Sequence, residues 1–123
     1  VKARYVRLVN VHCPAGALFS VSGFRLFGDG LGRAPMAVNN FVVLRHPGDP
    51  RKATVGWLAS PRADFYVVRY GLALDRLFDN YQVLHATSVD INSLNRGVPY
   101  YFTVDAINDS GITRTKVSYR LEL

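Results

Sequence analysis

Three histidines, one cysteine and a scatter of carboxylates are the side chains of this 123-residue chain that could do chemistry, and their spacing decides whether they do. His12, His46 and His85 stand far apart, and none sits in an HExxH or other metal-ligand spacing. His12 and Cys13 are neighbours, so in an extended chain they point to opposite faces and do not share one ion. Cys13, beside Pro14, reads as a structural residue. Being the one cysteine, it forms no internal disulfide and leaves the redox compartment open. Glycoside hydrolysis needs two carboxylates about 5–9.5 Å apart. Asp64, Asp75, Asp79, Asp90, Asp109 and Glu122 fall mostly in turn-like text, and Asp105 lies in mid-strand text on the face opposite Val104. No pair among them is obliged to meet, so they read as solvated. Gly28-Asp29-Gly30-Leu31-Gly32 is glycine-rich, but no helix signal follows to make a phosphate cradle. GxSxG, P-loop and GxGxxG patterns are absent. No catalytic, cofactor-binding or metal residue is therefore assigned, and no cofactor is expected. Asn108-Asp109-Ser110 has the form of a glycosylation sequon in an accessible turn, and its main use reads as the turn itself.

The elements that would position these groups are strands. From Tyr100 the chain alternates strictly. Tyr100, Phe102, Val104, Ala106 and Asn108 share one face; Tyr101, Thr103, Asp105 and Ile107 share the other. Period two over this length predicts a β-strand with one face buried. A turn at Asn95-Arg96-Gly97 leads in, and another at Asn108-Asp109-Ser110-Gly111 closes it. Leu94 precedes Tyr100 at the spacing of a tyrosine corner, in which the phenol bonds to backbone a few residues upstream.

Further strands are predicted over 38–45, 53–57 (Val55 and Trp57 on one face), 66–70 (Tyr66, Val68 and Tyr70), 81–86, 87–91 and 112–123. Leu74, Leu77 and Phe78 stand at helical spacing, so residues 71–80 read as a long connection or a single helical turn. Upstream, 1–11 and 17–28 read as two strands of a hairpin around the break at His12-Cys13-Pro14-Ala15-Gly16. Residues 29–35, three turn-formers without periodicity, read as a linker. The expected organisation is a hairpin over 1–28, a linker over 29–35 and a sandwich over 36–123.

Length allows one ordinary domain, or one small domain plus a remnant. The net charge of +6 is uneven: five basic residues against one acid in 1–33, ten against eight in 34–123. The basic residues are scattered through strand-like text without a cluster, so no nucleic-acid surface is expected. No apolar run approaches the ~20 residues of a membrane-spanning helix. The chain opens at Val1 in strand-like text, which reads as the interior or C-terminal piece of something longer.

The order of Trp57, Tyr66-x-Val68-x-Tyr70, Leu94…Tyr100 and Ala106-x-Asn108…Gly111 resembles a fibronectin type III domain across residues 36–120. The chain carries Arg96 where that family commonly has Pro before the glycine. The resemblance implies an all-β, immunoglobulin-like sandwich with an extra N-terminal β-hairpin. In the hairpin, Ala3-Arg4-Tyr5-Val6-Arg7-Leu8 and Phe24-Arg25-Leu26-Phe27-Gly28 resemble the closing strands of a discoidin-like (coagulation factor type C) jelly roll. The two in this order are similar to the C-terminal end of secreted bacterial glycoside hydrolases of the xylosidase and arabinosidase type.

That resemblance implies a non-catalytic accessory module that spaces or packs against an upstream catalytic domain of the same polypeptide. The implied location is secreted, periplasmic or cell-surface. Weak glycan binding is a further implication, with polysaccharide as a partner. Tyr5, Phe19 and Tyr81 are the aromatic platforms to weigh, each equally a core residue, and none is assigned. Self-association through the N-terminal hairpin is another expectation. The alternative reading is a protein-interaction or adhesion domain of a cell-surface protein, although no Arg-Gly-Asp tripeptide is present.

Overall fold

The computed structural model describes residues 3, 5–9, 12–13, 17–20, 23, 28, 30–116 and 118–122. Among them the regular structure is all β: β1 (Phe41–Arg45), β2 (Ala53–Trp57), β3 (Phe65–Gly71), β4 (Asp79–Leu84), β5 (Ser88–Ile91), β6 (Tyr100–Asn108), β7 (Gly111–Thr113) and β8 (Tyr119–Leu121). One sheet runs β1-β2-β5. The other runs β4-β3-β6-β7, with β8 also on β6, and every pairing is antiparallel. The two sheets stack as a sandwich.

Alternation builds the core. Phe41, Val43, Ala53, Val55, Trp57 and Ile91 turn inward from the smaller sheet. Tyr66, Val68, Tyr70, Val83, Phe102, Val104 and Ala106 meet them from the larger one. Each residue lost to water here contributes roughly 1.5–3 kcal/mol if fully buried. The tyrosine corner forms as its spacing predicts: the Asn95 N–H donates to Tyr100 Oη at 3.1 Å, and Leu94 is buried beside it. Gly97 in the lead-in turn has φ +67°, a conformation that glycine adopts without steric cost. Arg45 ties this corner to the β1–β2 turn, donating to the carbonyls of Pro50 and, at 3.0 Å, Val98.

Two expectations change. Residues 71–80 contain no helical turn: the Arg76 N–H donates to Ala73 C=O at 3.0 Å in an isolated turn, and β4 starts at Asp79. The final stretch is two short strands rather than one. Thr113 of β7 pairs with Ala106 and Tyr119 of β8 with Phe102, so the chain between β7 and β8 is two residues longer than the part of β6 it spans, a bulge-type mismatch. Thr115 in that bulge bonds inward instead, its N–H to Asp105 Oδ1 at 3.3 Å and its Oγ1 to Val38 C=O at 2.7 Å. The motif residues of the expected N-terminal hairpin, Arg4 and 24–27, lie outside the described residues. Those described nearby, 5–9 and 17–20, are exposed and form no strand.

Candidate functional site

The groups that could do chemistry stay apart in the fold. His12 and His85 are exposed, Cys13 is a partly buried free thiol, and among the described residues no three His, Cys, Asp or Glu side chains could hold one metal ion. His46 is committed to its turn: its Nδ1 accepts from the Gly48 and Asp49 N–H groups, each at 3.2 Å. It borders a polar notch of about 210 Å³ with Lys52 and Asp90, and Thr54 Oγ1 holds Asp90 at 2.7 Å. In the same turn the Arg51 guanidinium and N–H beside Asp49 hold its carboxyl down at about 2. A wider groove of about 660 Å³ runs along Asn39, Asn40, Phe41, Val42, Gly56, Trp57 and Leu58, and none of these is ionisable. It offers apolar surface and two amides, with no acid, base or nucleophile.

Of the carboxylates read as solvated, Asp64, Asp75, Asp79, Asp90, Asp109 and Glu122 are exposed. Asp105 is the correction. It is only 3% exposed and lies on the face of β6 opposite Val104, where Thr115 approaches it. Arg69 of the neighbouring strand grips it in parallel, Nε to Oδ2 at 2.6 Å and Nη2 to Oδ1 at 3.1 Å. A planar guanidinium meets both carboxylate oxygens in this fork. The Thr115 N–H adds a further donor, so the group is spent on structure. A charged residue in mid-strand was the one sequence sign of it.

The densest set of polar contacts lies at the sandwich end where 30–38 arrive. Gly30 N–H donates to Asp109 C=O at 3.0 Å, and Met36 N–H to Pro61 C=O at 3.1 Å. Arg62 Nε reaches Ala34 C=O at 3.2 Å, Thr113 Oγ1 reaches Pro35 C=O at 2.7 Å, and Ser60 Oγ reaches Met36 C=O. At the centre, Asn108 Nδ2 donates to both Arg33 C=O and Arg62 C=O, each at 2.9 Å, while its Oδ1 accepts from Ser110 N–H at 2.9 Å. The described part of the expected linker is thus fastened to the sandwich. Its glycines serve close approach, since a Cβ on Gly30 would collide with the Asp109 carbonyl.

The same geometry shows Asn108 of the sequon at work in the turn. Both hydrogens of the Asn108 amide are already donated, and N-glycosylation would replace one of them with sugar. Asn108→Asp keeps the acceptor for Ser110 and removes both donors. Each lost bond is worth about 0.5–1.5 kcal/mol net, so the variant should lose about 1–3 kcal/mol. Trypsin should then cut after exposed Arg33 faster than in the parent chain. Equal cleavage rates would show that the segment is held without Asn108.

No protein-family model matches this sequence, and no curated protein matches it. Solved structures do. An Fn3-like protein from Clostridium thermocellum aligns with TM-score 0.65 at 19% identity, over 73% of this chain and 94% of that one. A structure titled FN3tt aligns with TM-score 0.64 at 16% identity, over 74% and 98%. The chicken CNTN1 FN1-FN3 domains align with TM-score 0.60 at 20% identity, over 72% of this chain and 32% of that one. At such identities the likeness speaks for the fold, and with the two stacked antiparallel sheets and the Tyr100 corner it makes this chain a fibronectin type III-like β-sandwich.

Proposed function

We propose that the chain is a non-catalytic accessory module of a larger secreted carbohydrate-active enzyme, one that holds a preceding domain in a set orientation. The observation that carries this reading is the fastening of 30–38 around Asn108. A free tether needs no such bonds, whereas a rigid spacer does. Immediately upstream, Tyr5, Val6, Leu8, Val9, Leu18 and Phe19 are exposed, and apolar side chains in this number want cover. In the proposed arrangement the preceding domain of the same polypeptide supplies it, as the resemblance to discoidin-like closing strands implies. The glycoside hydrolase parent and the secreted location follow from that resemblance. Weak glycan binding belongs to the same proposal, with Tyr5, Phe19 and Tyr81 exposed as its aromatic candidates.

Hydrogen exchange compared between this chain and the full-length polypeptide tests the reading. Amides of 5–9 and 17–20 should gain protection in the longer chain, and those of 30–38 should be protected in both. Unchanged exchange at 5–9 and 17–20 in the full-length polypeptide would refute the packing. Calorimetric titration with xylan and arabinan oligosaccharides tests the glycan arm separately.

A further inference from the structure

β4 ends the larger sheet, and a terminal strand offers its unpaired N–H and C=O groups to any extended chain that reaches them. Natural edges are guarded by lysine, proline, a bulge or an inward charge. β4 reads Asp79-Asn80-Tyr81-Gln82-Val83-Leu84. It has no lysine or proline, and it pairs without a bulge from Tyr70↔Asp79 to Phe65↔Leu84; its one charge is Asp79, at the start of the strand on the face of Val83. Residues 79–82 are all exposed. The apolar surface concentrates here as well. Of eleven exposed large hydrophobics among the described residues from 30 to 122, five fall within 72–84: Leu72, Leu74, Phe78, Tyr81 and Leu84. Surface apolar side chains scattered singly need no explanation, but a run of them beside an open edge does.

Side-chain alternation restricts what could pair with this edge. In an antiparallel pair, opposed residues point to the same face. Two copies related by a twofold axis normal to the sheet must therefore place one central residue against its own equivalent. With Tyr81 at the centre, the two phenol rings meet. Phe78 of each copy, one residue before β4, opposes Leu84 of the other. Asn80 opposes Gln82, and Asp79 opposes Val83. Every exposed apolar side chain of the strand and its lead-in residue then meets another, amide meets amide, and Asp79 is kept away from its own copy. The edge is complementary to itself in its pattern of apolar and amide side chains, and its one charge opposes Val83 rather than its own equivalent. We propose that the chain forms a twofold dimer by antiparallel pairing of β4 with β4 of a second copy, which joins two larger sheets into one continuous sheet.

Sedimentation velocity from micromolar to millimolar chain is the test, with three variants. Tyr81→Lys sets lysine against lysine at the centre, and directly opposed like charges destabilise a strand pair. Leu84→Lys removes the contact with Phe78 at both ends. Leu18→Ser with Phe19→Ser alters the other exposed apolar stretch and leaves β4 intact. The proposal expects a dimer from the parent chain and from the Leu18/Phe19 variant. It expects monomers from both lysine variants, with circular dichroism and the low-concentration melt unchanged, because both side chains are exposed. A parent chain that stays monomeric throughout overturns it. So does a dimer that survives both lysine substitutions, or one abolished by the Leu18/Phe19 change.

Discussion

Trp57→Ala is expected to lower the unfolding free energy by about 3–5 kcal/mol, the cost of truncating a buried tryptophan. Trp57 is 6% exposed and closes one end of the core. Its ring meets the edge of Tyr66 at 5.2 Å between centroids, with the planes at 64°. Such a pair is worth about 0.5–1.5 kcal/mol beyond the area it buries. Tyr66 in turn accepts the Ser60 N–H on its hydroxyl at 2.8 Å. Ser60 holds Met36, so a collapsed indole site would loosen the fastening of 30–38 as well. A typical domain has about 5–15 kcal/mol to lose, so the variant should unfold at a far lower urea concentration. Trp57→Phe separates ring from indole. The indole N–H has no acceptor among the described residues, so phenylalanine removes an unsatisfied donor while keeping aromatic bulk. Its loss should be well under half that of alanine. A urea midpoint for Trp57→Ala equal to the parent's would contradict the placement of this ring in the core.

The second large effect concerns Arg69. Arg69→Leu removes the cation from Asp105, whose side chain is 4% exposed beside an arginine that is 24% exposed, and leaves a largely buried carboxylate without its partner. Breaking a buried pair from one side costs about 3–5 kcal/mol. Replacing both residues, Arg69→Leu with Asp105→Leu, should recover part of that loss, since no lone charge remains. Recovery stays incomplete because the Thr115 N–H loses its acceptor, worth about 1–3 kcal/mol when buried. Urea unfolding of the two single variants and the double variant gives the coupling directly. A parent-like midpoint for Arg69→Leu alone would mean that the pair is solvated and contributes little.

The strands were legible because their signal is local. Alternation at Tyr66, Val68 and Tyr70, at Val55 and Trp57, and along β6 can be read without knowing any partner, and these residues are buried as alternation requires. The corner at Tyr100 was legible for the same reason, since its hydrogen bond spans five residues. The division of the last stretch into β7 and β8 was not. A bulge is a mismatch between two strands, and one strand cannot display it alone.

The polar sites were the least legible. Asn108 donates to a carbonyl 75 residues away and Arg69 grips a carboxylate 36 residues away, distances over which no local pattern carries information. The glycines of 30–32 suggest freedom by composition, yet contact with Asp109 and Ser110 makes them a close fit. What the residues determined on their own was which side chains leave water, because hydrophobic periodicity is a property of the chain itself. What only the tertiary structure decided was which polar groups are spent. Burying an amide or a charge depends on the partner that satisfies it, and folding alone brings that partner near.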